Sequence, residues 1–381
     1  MSTFPSNANI RTWLSEPMSS EVAKSIRRLA EAEDVRHLAV MPDVHLANDV
    51  CIGTVVATSR LIYPAAIGGD IGCGMAAVRF DISADLLEGE RTAARVLAGL
   101  YERVPTNRHS AVTMPRELPE ELVAAPLSDQ RLEKLKRRDG RVQFGTLGRG
   151  NHFLEFQEDQ EGQLWLMVHS GSRAMGQVIT AHHVARASLV SNGLNFLDSQ
   201  SETGEAYLND VGWAQHYAEQ NRLAMVAAVA ELLLDQFGVN TDWPFLIHGH
   251  HNHVRREEHF GKQLWVHRKG AQSSQCDEPG IIPGSMGTAS FHVSGRGCAE
   301  ALCSSSHGAG RKLSRTQARQ TISTRQLQHQ MKSVWFDHRR AGALRDEAPA
   351  AYKDIYAVMR AQKKLTRITR ELQPLLSYKG R

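Results

Sequence analysis

Five stretches of this sequence place metal-binding or nucleophilic side chains among small residues that leave them room to act. In Gly68-Gly69-Asp70-Ile71-Gly72-Cys73-Gly74-Met75, a carboxylate and a thiol stand three positions apart in a turn that four glycines make permissive. Such a pair can reach one metal, a thiolate can bridge two, and sulfur steers the choice toward Zn, Fe or Mn rather than Mg or Ca. The structural alternative is an ordinary glycine-rich turn with a capping Asp and a buried Cys. Gly145-Thr146-Leu147-Gly148-Arg149-Gly150 leads into Asn151, His152 and Glu155, an amide, an imidazole and a carboxylate beside a loop whose backbone N–H groups can approach a phosphate. The Gly-Lys-Ser/Thr ending of a Walker loop is missing there. Val168-His169-Ser170-Gly171-Ser172-Arg173 sets a histidine and an arginine about a turn of small residues. His248, His250, His251 and His253 crowd into six residues with Asn252 among them. In Ser304-Ser305-Ser306-His307-Gly308-Ala309-Gly310-Arg311, a histidine is surrounded by backbone donors and followed by a guanidinium. A neutral imidazole nitrogen attacks phosphorus, and an arginine stabilises the charge on phosphoryl oxygens. A serine-capped helix start explains the same local pattern.

These residues need elements to hold them. His152, His169 and His251 each fall at or near the end of an apolar strand, where a ligand is held by a sheet yet opens onto a cleft. The patterns predict strands over 37–41, 61–67, 75–80, 164–168 and 245–247. They predict helices over 17–33 (capped by Ser19 or Ser20), 84–101 and 205–237, the last as one helix or two, and further helices over 314–335 and 348–372. The polar stretch 104–141 reads as a loop excursion or a helical insertion. Strands and helices mix without regular alternation, which favours an α+β fold with mixed sheets flanked by helices, and no linker divides residues 1–381.

At 381 residues, with 41% hydrophobic and 23% charged residues, the composition is that of a globular protein. No apolar run reaches membrane-spanning length, and residues 1–16 lack a secretory pattern, so a cytoplasmic location is expected. Five cysteines, an odd number, argue against a disulfide framework and leave thiols free for metals. Residues 311–381 carry 17 Lys and Arg against 5 Asp and Glu, although the whole chain is only +4. A basic C-terminal segment on an acidic body suggests a surface for a polyanion, or else solvated helix faces.

Taken together the motifs resemble the RtcB family of RNA ligases. The likeness runs in order from Met41-Pro42-Asp43-Val44-His45 through Asp-Ile-Gly-Cys-Gly-Met, Gly-Asn-His-Phe-Leu-Glu, His-Ser-Gly-Ser-Arg and His-Asn. It continues through Pro283-Gly284-Ser285-Met286-Gly287, Ser-His-Gly-Ala-Gly-Arg and Tyr352-Lys353-Asp354-Ile355, and ends at Lys379-Gly380, so it spans nearly the whole chain. The resemblance implies that Asp70, Cys73 and His152 hold one Mn²⁺, and that Cys73, His169 and His251 hold a second, with the thiolate bridging. It implies that His307 takes GMP from GTP. It assigns Asn151, His152, Phe153, Leu154, Glu155, His251, Asn252, Pro283, Gly284, Ser285, Met286, Ser290, His307, Gly308, Ala309, Gly310 and Lys379 to guanylate binding. Glu155 suits guanine N1–H and its 2-amino group, and Lys379 suits O6.

The implied activity joins an RNA 3′-phosphate, or a 2′,3′-cyclic phosphate after opening, to a 5′-hydroxyl. The expected partners are RNA and GTP, with no membrane; a monomer is the default, and an activating protein is compatible with it. The chain departs from the family pattern at Leu46-Ala47-Asn48-Asp49, at Ala174 and at Arg381, and it is short. These departures make repair of cleaved RNA a candidate role alongside tRNA splicing. The rival readings are a dinuclear metal phosphodiesterase, which would not require the guanine contacts, and a non-catalytic RNA-binding protein, which would have no reason to keep every ligand.

Overall fold

The computed structural model describes residues 8–109 and 117–380. Its framework is two sheets that meet at a single residue. One sheet orders the strands Asn9–Thr12, Val35–His45, Ile52–Thr58, Lys262–Lys269 and Asn252–His259, with only the first pair parallel. The other has seven strands, all antiparallel, in the order Thr241–His250, Gly74–Ser83, Gln163–Ser170, Phe153–Asp159, Thr366–Lys379, Ser290–Gly295 and Pro279–Ile282. Thr241–His250 belongs to the second sheet and Asn252–His259 to the first, so His251 sits at the seam. The strand-and-helix mixture is the α+β fold expected from the sequence.

The helix Glu202–Phe237 is unbroken and about 54 Å long at 1.5 Å per residue. The Ser201 side chain caps its start by accepting from the Gly204 N–H, and Gly238 ends it in the left-handed region at φ 68°. Its N-terminal half packs Tyr207, Val211, Trp213 and Tyr217 against Leu122, Leu132, Phe144 and Ile179. Its C-terminal half packs Met225, Val229, Leu232 and Leu233 against the apolar face of the seven-stranded sheet. From its middle, the buried Arg222 donates to Gly72 O (2.8 Å) and Ser170 O (2.9 Å), satisfying two carbonyls at the strand ends. Gly72 has φ 71°, and a Cβ there would lie 2.8 Å from Gln215 Cα and 2.9 Å from Ala218 Cβ. Only glycine lets the Asp70–Cys73 turn lie against this helix.

Several local expectations change. The stretch 314–335 is two short helices, Arg315–Thr321 and Thr324–Gln330, because Ser323 starts a second capping box with Gln326 where one helix was expected. Within 348–372 only Ile355–Ala361 is α-helical; the chain then becomes the strand Thr366–Lys379, since Thr366, Ile368 and Thr369 are β-branched and the segment is paired on both sides. Its Pro374 stands at a register shift, where a missing N–H costs least. Pro64 ends the strand at Leu61–Ile62, well short of residue 67. The expected 84–101 helix is a 3₁₀ turn, Ala84–Leu87, followed by Glu90–Arg103. The described part of 104–141 is a helical insertion, Glu120–Ala124 and Gln130–Leu135. Among the described residues, no helix is long and apolar enough to cross a membrane.

Candidate active site

The antiparallel register brings four chain segments to one end of the seven-stranded sheet. Met75 and Phe153 both pair with His169, and Gly74 pairs with both Ser170 and His250. Cys73, His152, His169 and His251 therefore converge, although they are far apart in the chain. The Cys73 Sγ lies 3.2 Å from His169 Nε2 and 3.5 Å from His152 Nε2. His169 Nε2 lies 3.2 Å from His251 Nε2, and His152 Nε2 lies 2.9 Å from Asp70 Oδ2.

The ligand atoms form two trios, Asp70–Cys73–His152 and Cys73–His169–His251. Within each trio all atoms lie within 4.8 Å of one another, and Cys73 is common to both. One sulfur, three imidazoles and one carboxylate suit two transition ions sharing the thiolate. The donors are prepared for it. Burial, then their neighbouring histidines and His307, holds His169 and His251 far below the usual imidazole range, which keeps them neutral. The His169 Nδ1–H donates to Asn151 O (3.1 Å), which leaves Nε2 as the ligand nitrogen. Burial raises the Asp70 carboxyl, but His152 and Arg173 more than offset that and hold it at about 2, so it is ionised. Burial and the Asp70 charge push the Cys73 thiol well up.

His307 follows the short strand Ser304–Ser306, and its ring lies 4.7 Å from that of His251, edge to face. Asp43, fully buried, accepts from the His307 backbone N–H (3.2 Å) and from its ring Nδ1–H (2.7 Å). The proton is thereby fixed on Nδ1, leaving the lone pair on Nε2. This contact spans 264 residues. It requires Gly310, where φ is 77° and a Cβ would lie 2.2 Å from Asp43 O.

His307 opens onto a cavity of about 300 Å³ together with two of the metal-trio residues, His169 and His251. It is lined by Asn151, Phe153, Glu155, His169, His251, Pro283, Gly284, Ser285, Met286, Ser290, His307, Gly308, Ala309, Gly310 and Lys379, together with His45, Ile52, Arg311, Arg315 and Tyr352. Its far wall carries buried charge. Glu347 is fully buried and meets Lys379 Nζ, Arg315 NH1 (2.6 Å), Arg311 NH1 (3.5 Å) and the Tyr352 hydroxyl (2.9 Å). Asp346, also buried, holds Arg315 and Arg319. Part of the basic charge of 311–381 is thus spent inside, beside the cavity, rather than on a separate surface. Burial lifts Glu155 from its ordinary 4.5 to about 8, against the pull of Gln157 and Lys379.

That raised pKa predicts a pH-dependent stability. The folded chain holds a proton on Glu155 that the unfolded chain has lost, so stability falls as pH climbs from 4.5 to about 8. Glu155→Gln is expected to be more stable than the wild type by about 1–3 kcal/mol near the upper end of this window and equal to it near the lower end. Denaturant unfolding at the two ends checks it, and a constant difference between them would contradict it.

The sequence profile described as "tRNA-splicing ligase RtcB" matches residues 25–125 and 120–380. The RNA-splicing ligase RtcB of Escherichia coli K12 is 35% identical over 404 residues, covering 98% of each chain. The chain belongs to the RtcB family. The RNA-splicing ligase RtcB of Mycobacterium tuberculosis is 29% identical over 91% of this chain and 97% of its own. The tRNA-splicing ligase RtcB of Methanococcus maripaludis is 27% identical over 92% and 89%.

Most residues to which the family resemblance gave a role meet at this cavity. Five of them do not line it: Asp70, Cys73, His152, Leu154 and Asn252. Leu154 faces the core, because Phe153 and Glu155 take the other face of a period-two strand, so only its backbone is available. His152 turns to Asp70 and Cys73. Asn252 braces the turn, donating to Asp70 O (3.2 Å) and accepting from Gly270 N (2.8 Å). Sequence reasoning missed three participants: Asp43 behind His307, Arg173 with NH1 2.9 Å from His152 Nδ1, and Glu347 against Lys379. Asp43 and Arg173 lay inside quoted motifs, but nothing local marked their partners. Glu347 carried no signal at all.

Proposed function

We propose that this protein is an RNA ligase that joins a 3′-phosphate or 2′,3′-cyclic phosphate end to a 5′-hydroxyl end, through GMP carried on His307. The observation that carries the reading is the His307–Asp43 contact. It fixes a proton on Nδ1 and presents the Nε2 lone pair in the cavity that His169 and His251 of one metal trio also line. A hydrolase would need no such nucleophile. The printed names of the relatives, RNA-splicing ligases, support the RNA substrate.

In the proposed first step His307 Nε2 attacks the α-phosphorus of GTP. The N–P bond forms, the P–O bond to the β-phosphate breaks, and pyrophosphate leaves. Asp43 stabilises the imidazolium as charge develops on the ring. An oxygen of the RNA 3′-phosphate then attacks the same phosphorus and frees the imidazole, leaving the 3′ end capped by GMP. The 5′-hydroxyl of the second end next attacks the 3′-phosphate and expels GMP. Asp70, Cys73, His152, His169 and His251 would hold two Mn²⁺ ions, which supply neutralisation of phosphoryl oxygens and their alignment for in-line attack.

Guanine fits the far wall. Its N1–H and 2-amino group are donors for Glu155, whose proton would leave as they arrive, and Lys379 faces O6. Arg311 and Arg315 line the same cavity and supply positive charge that suits a phosphate. The reading places the protein in the cytoplasm, whose reducing conditions keep Cys73 a thiol, and as a monomer. Leu46-Ala47-Asn48-Asp49 lies between His45 and Ile52, which both line the cavity, so these positions bear on RNA choice. We favour repair of cleaved RNA, and equal sealing of intron-derived tRNA halves and nicked stem-loops would contradict that preference.

Asp43→Asn tests the orientation of His307. An amide in place of the carboxylate cannot stabilise the imidazolium and permits the wrong tautomer. Nucleotide transfer to the protein is expected to fall by about 10²–10⁴-fold with the metal content unchanged. Adduct formation at the wild-type rate, followed with GTP radiolabelled at the α-phosphate, would remove Asp43 from the mechanism.

A further inference from the structure

Of the four histidines crowded at 248–253, the proposed mechanism uses only His251. His248 and His250 share a face of the strand Thr241–His250 by its two-residue period, and the helix Glu202–Phe237 sets Glu219 against both. Glu219 Oε2 lies 3.7 Å from His250 Nε2, and Glu219 Oε1 lies 3.9 Å from His248 Nδ1. Both separations are too long for hydrogen bonds. They exceed by a few tenths of an ångström the edge of a tetrahedral metal site, about 3.3 Å for Zn–N bonds of 2.0–2.1 Å, a gap that small side-chain shifts around an ion would close.

The three side chains line a cavity of about 110 Å³, distinct from the one that holds His307. The His250 Nδ1 lies 2.9 Å from Gly72 O and donates to it, which leaves Nε2 toward Glu219 as a ligand nitrogen. Arg222 NH2 approaches the same Nδ1 at 3.1 Å. His253 lines the same cavity at 1% exposure, and its Nδ1 is buried with no hydrogen-bond partner. Arg268 NH1, 3.3 Å from the His253 Nε2, donates to it and so places the ring proton on Nδ1. That leaves a donor suited to a water bound to an ion.

We infer that His248, His250 and Glu219 form a second, auxiliary metal site for a borderline divalent transition ion of the zinc, cobalt or nickel kind. Two imidazoles and a carboxylate select such ions over Mg²⁺ or Ca²⁺. The ligand atoms of Glu219, His248 and His250 are not gathered as those of the Cys73 trios are, so an ion would have to draw in the 38% exposed His248 side chain, and this site is the weaker one. A fourth position goes to water, met by the His253 Nδ1–H. Charge permits the ion: Glu219 and Glu278 line the cavity and offset the buried Arg222 behind His250, and the lining cation Arg255 is exposed and screened by solvent. A bound ion ties the strand end that precedes His251, and the Gly72 carbonyl beside Cys73, to the long helix.

The test is Zn²⁺ binding by chelator-stripped full-length protein, with the bound metal counted after equilibrium dialysis. The proteins are the wild type, His248→Ala and Glu219→Gln, each shown folded by circular dichroism, and Cys73→Ser as the background that disrupts the other trios. The wild type is expected to hold one Zn²⁺ more than His248→Ala or Glu219→Gln, with affinity at that site at least about tenfold weaker in both variants. In the Cys73→Ser background one Zn²⁺ remains, and adding His248→Ala removes it. With Co²⁺, the thiolate charge-transfer band belongs to Cys73 and stays constant in His248→Ala, while the visible ligand-field bands lose intensity. Equal Zn²⁺ counts and affinities in the wild type, His248→Ala and Glu219→Gln would overturn the inference and reduce the cluster to an imidazole–carboxylate contact.

Discussion

His307→Ala is expected to abolish both the covalent nucleotide adduct and RNA sealing, with a loss on the order of 10⁴-fold or more. The imidazoles of the metal trios cannot replace it. The ring nitrogens of His169 and His251 lie 3.2 Å apart within the Cys73 trio and face the candidate metal position rather than a phosphate. The substitution empties a partly exposed position, and the buried Asp43 keeps the His307 backbone N–H when it loses the ring, so folding should survive. The decisive measurement is transfer of α-phosphate label from GTP to protein, resolved on a denaturing gel. The wild type should carry an acid-labile label, as a phosphoramidate does, and His307→Ala none. A labelled His307→Ala protein would move the nucleophile elsewhere. A variant that is unlabelled yet still seals RNA would separate sealing from the adduct and overturn the proposed reaction order. Supplying RNA already capped with GMP at its 3′ end refines the test, because only the last step remains and His307→Ala should recover much of its sealing.

Cys73→Ser is expected to have the second-largest effect, because one sulfur belongs to both trios. Serine nearly preserves the shape, but its hydroxyl stays protonated at neutral pH and is a poor bridge between two cations. Two bound Mn²⁺ should be lost relative to the wild type, with affinity at both positions down by more than about 100-fold and sealing lost with them. His152→Ala touches only the Asp70 trio and should lose one ion. Metal content measured on purified, folded protein distinguishes these outcomes. A Cys73→Ser protein that keeps both ions would show that the sulfur is not a shared ligand. Equal losses in Cys73→Ser and His152→Ala would show that the two positions fill only together.

Much of the chemistry could be read along the chain because it rests on local pattern. Asp70 and Cys73 occupy one turn, His152 and His169 stand at strand ends, and glycines surround His307; each signal is contained within a few residues. The ligase resemblance followed from the order of those motifs, and the α+β class from strands and helices that mix without regular alternation. Errors concentrated where helix and strand patterns look alike over short spans. The segment 366–379 is a strand because it is paired on both sides, and no periodicity within it reveals those neighbours. Likewise Ser323 divides 314–335 through a capping box that competes with continuation of the helix.

Partnership over distance was decided only by the tertiary structure. Asp43 orients a histidine 264 residues away, Lys379 meets Glu347 in the cavity wall, and His251 reaches Cys73 because it stands where the chain leaves one sheet for the other. Burial decided the charge states as well. A carboxylate in the sequence does not disclose that Asp70 is held near 2 while Glu155 is lifted to about 8. The difference lies in desolvation and in which charges fold packs beside each group, so the sequence by itself determined which groups were available, and packing determined which would act together and in what protonation state.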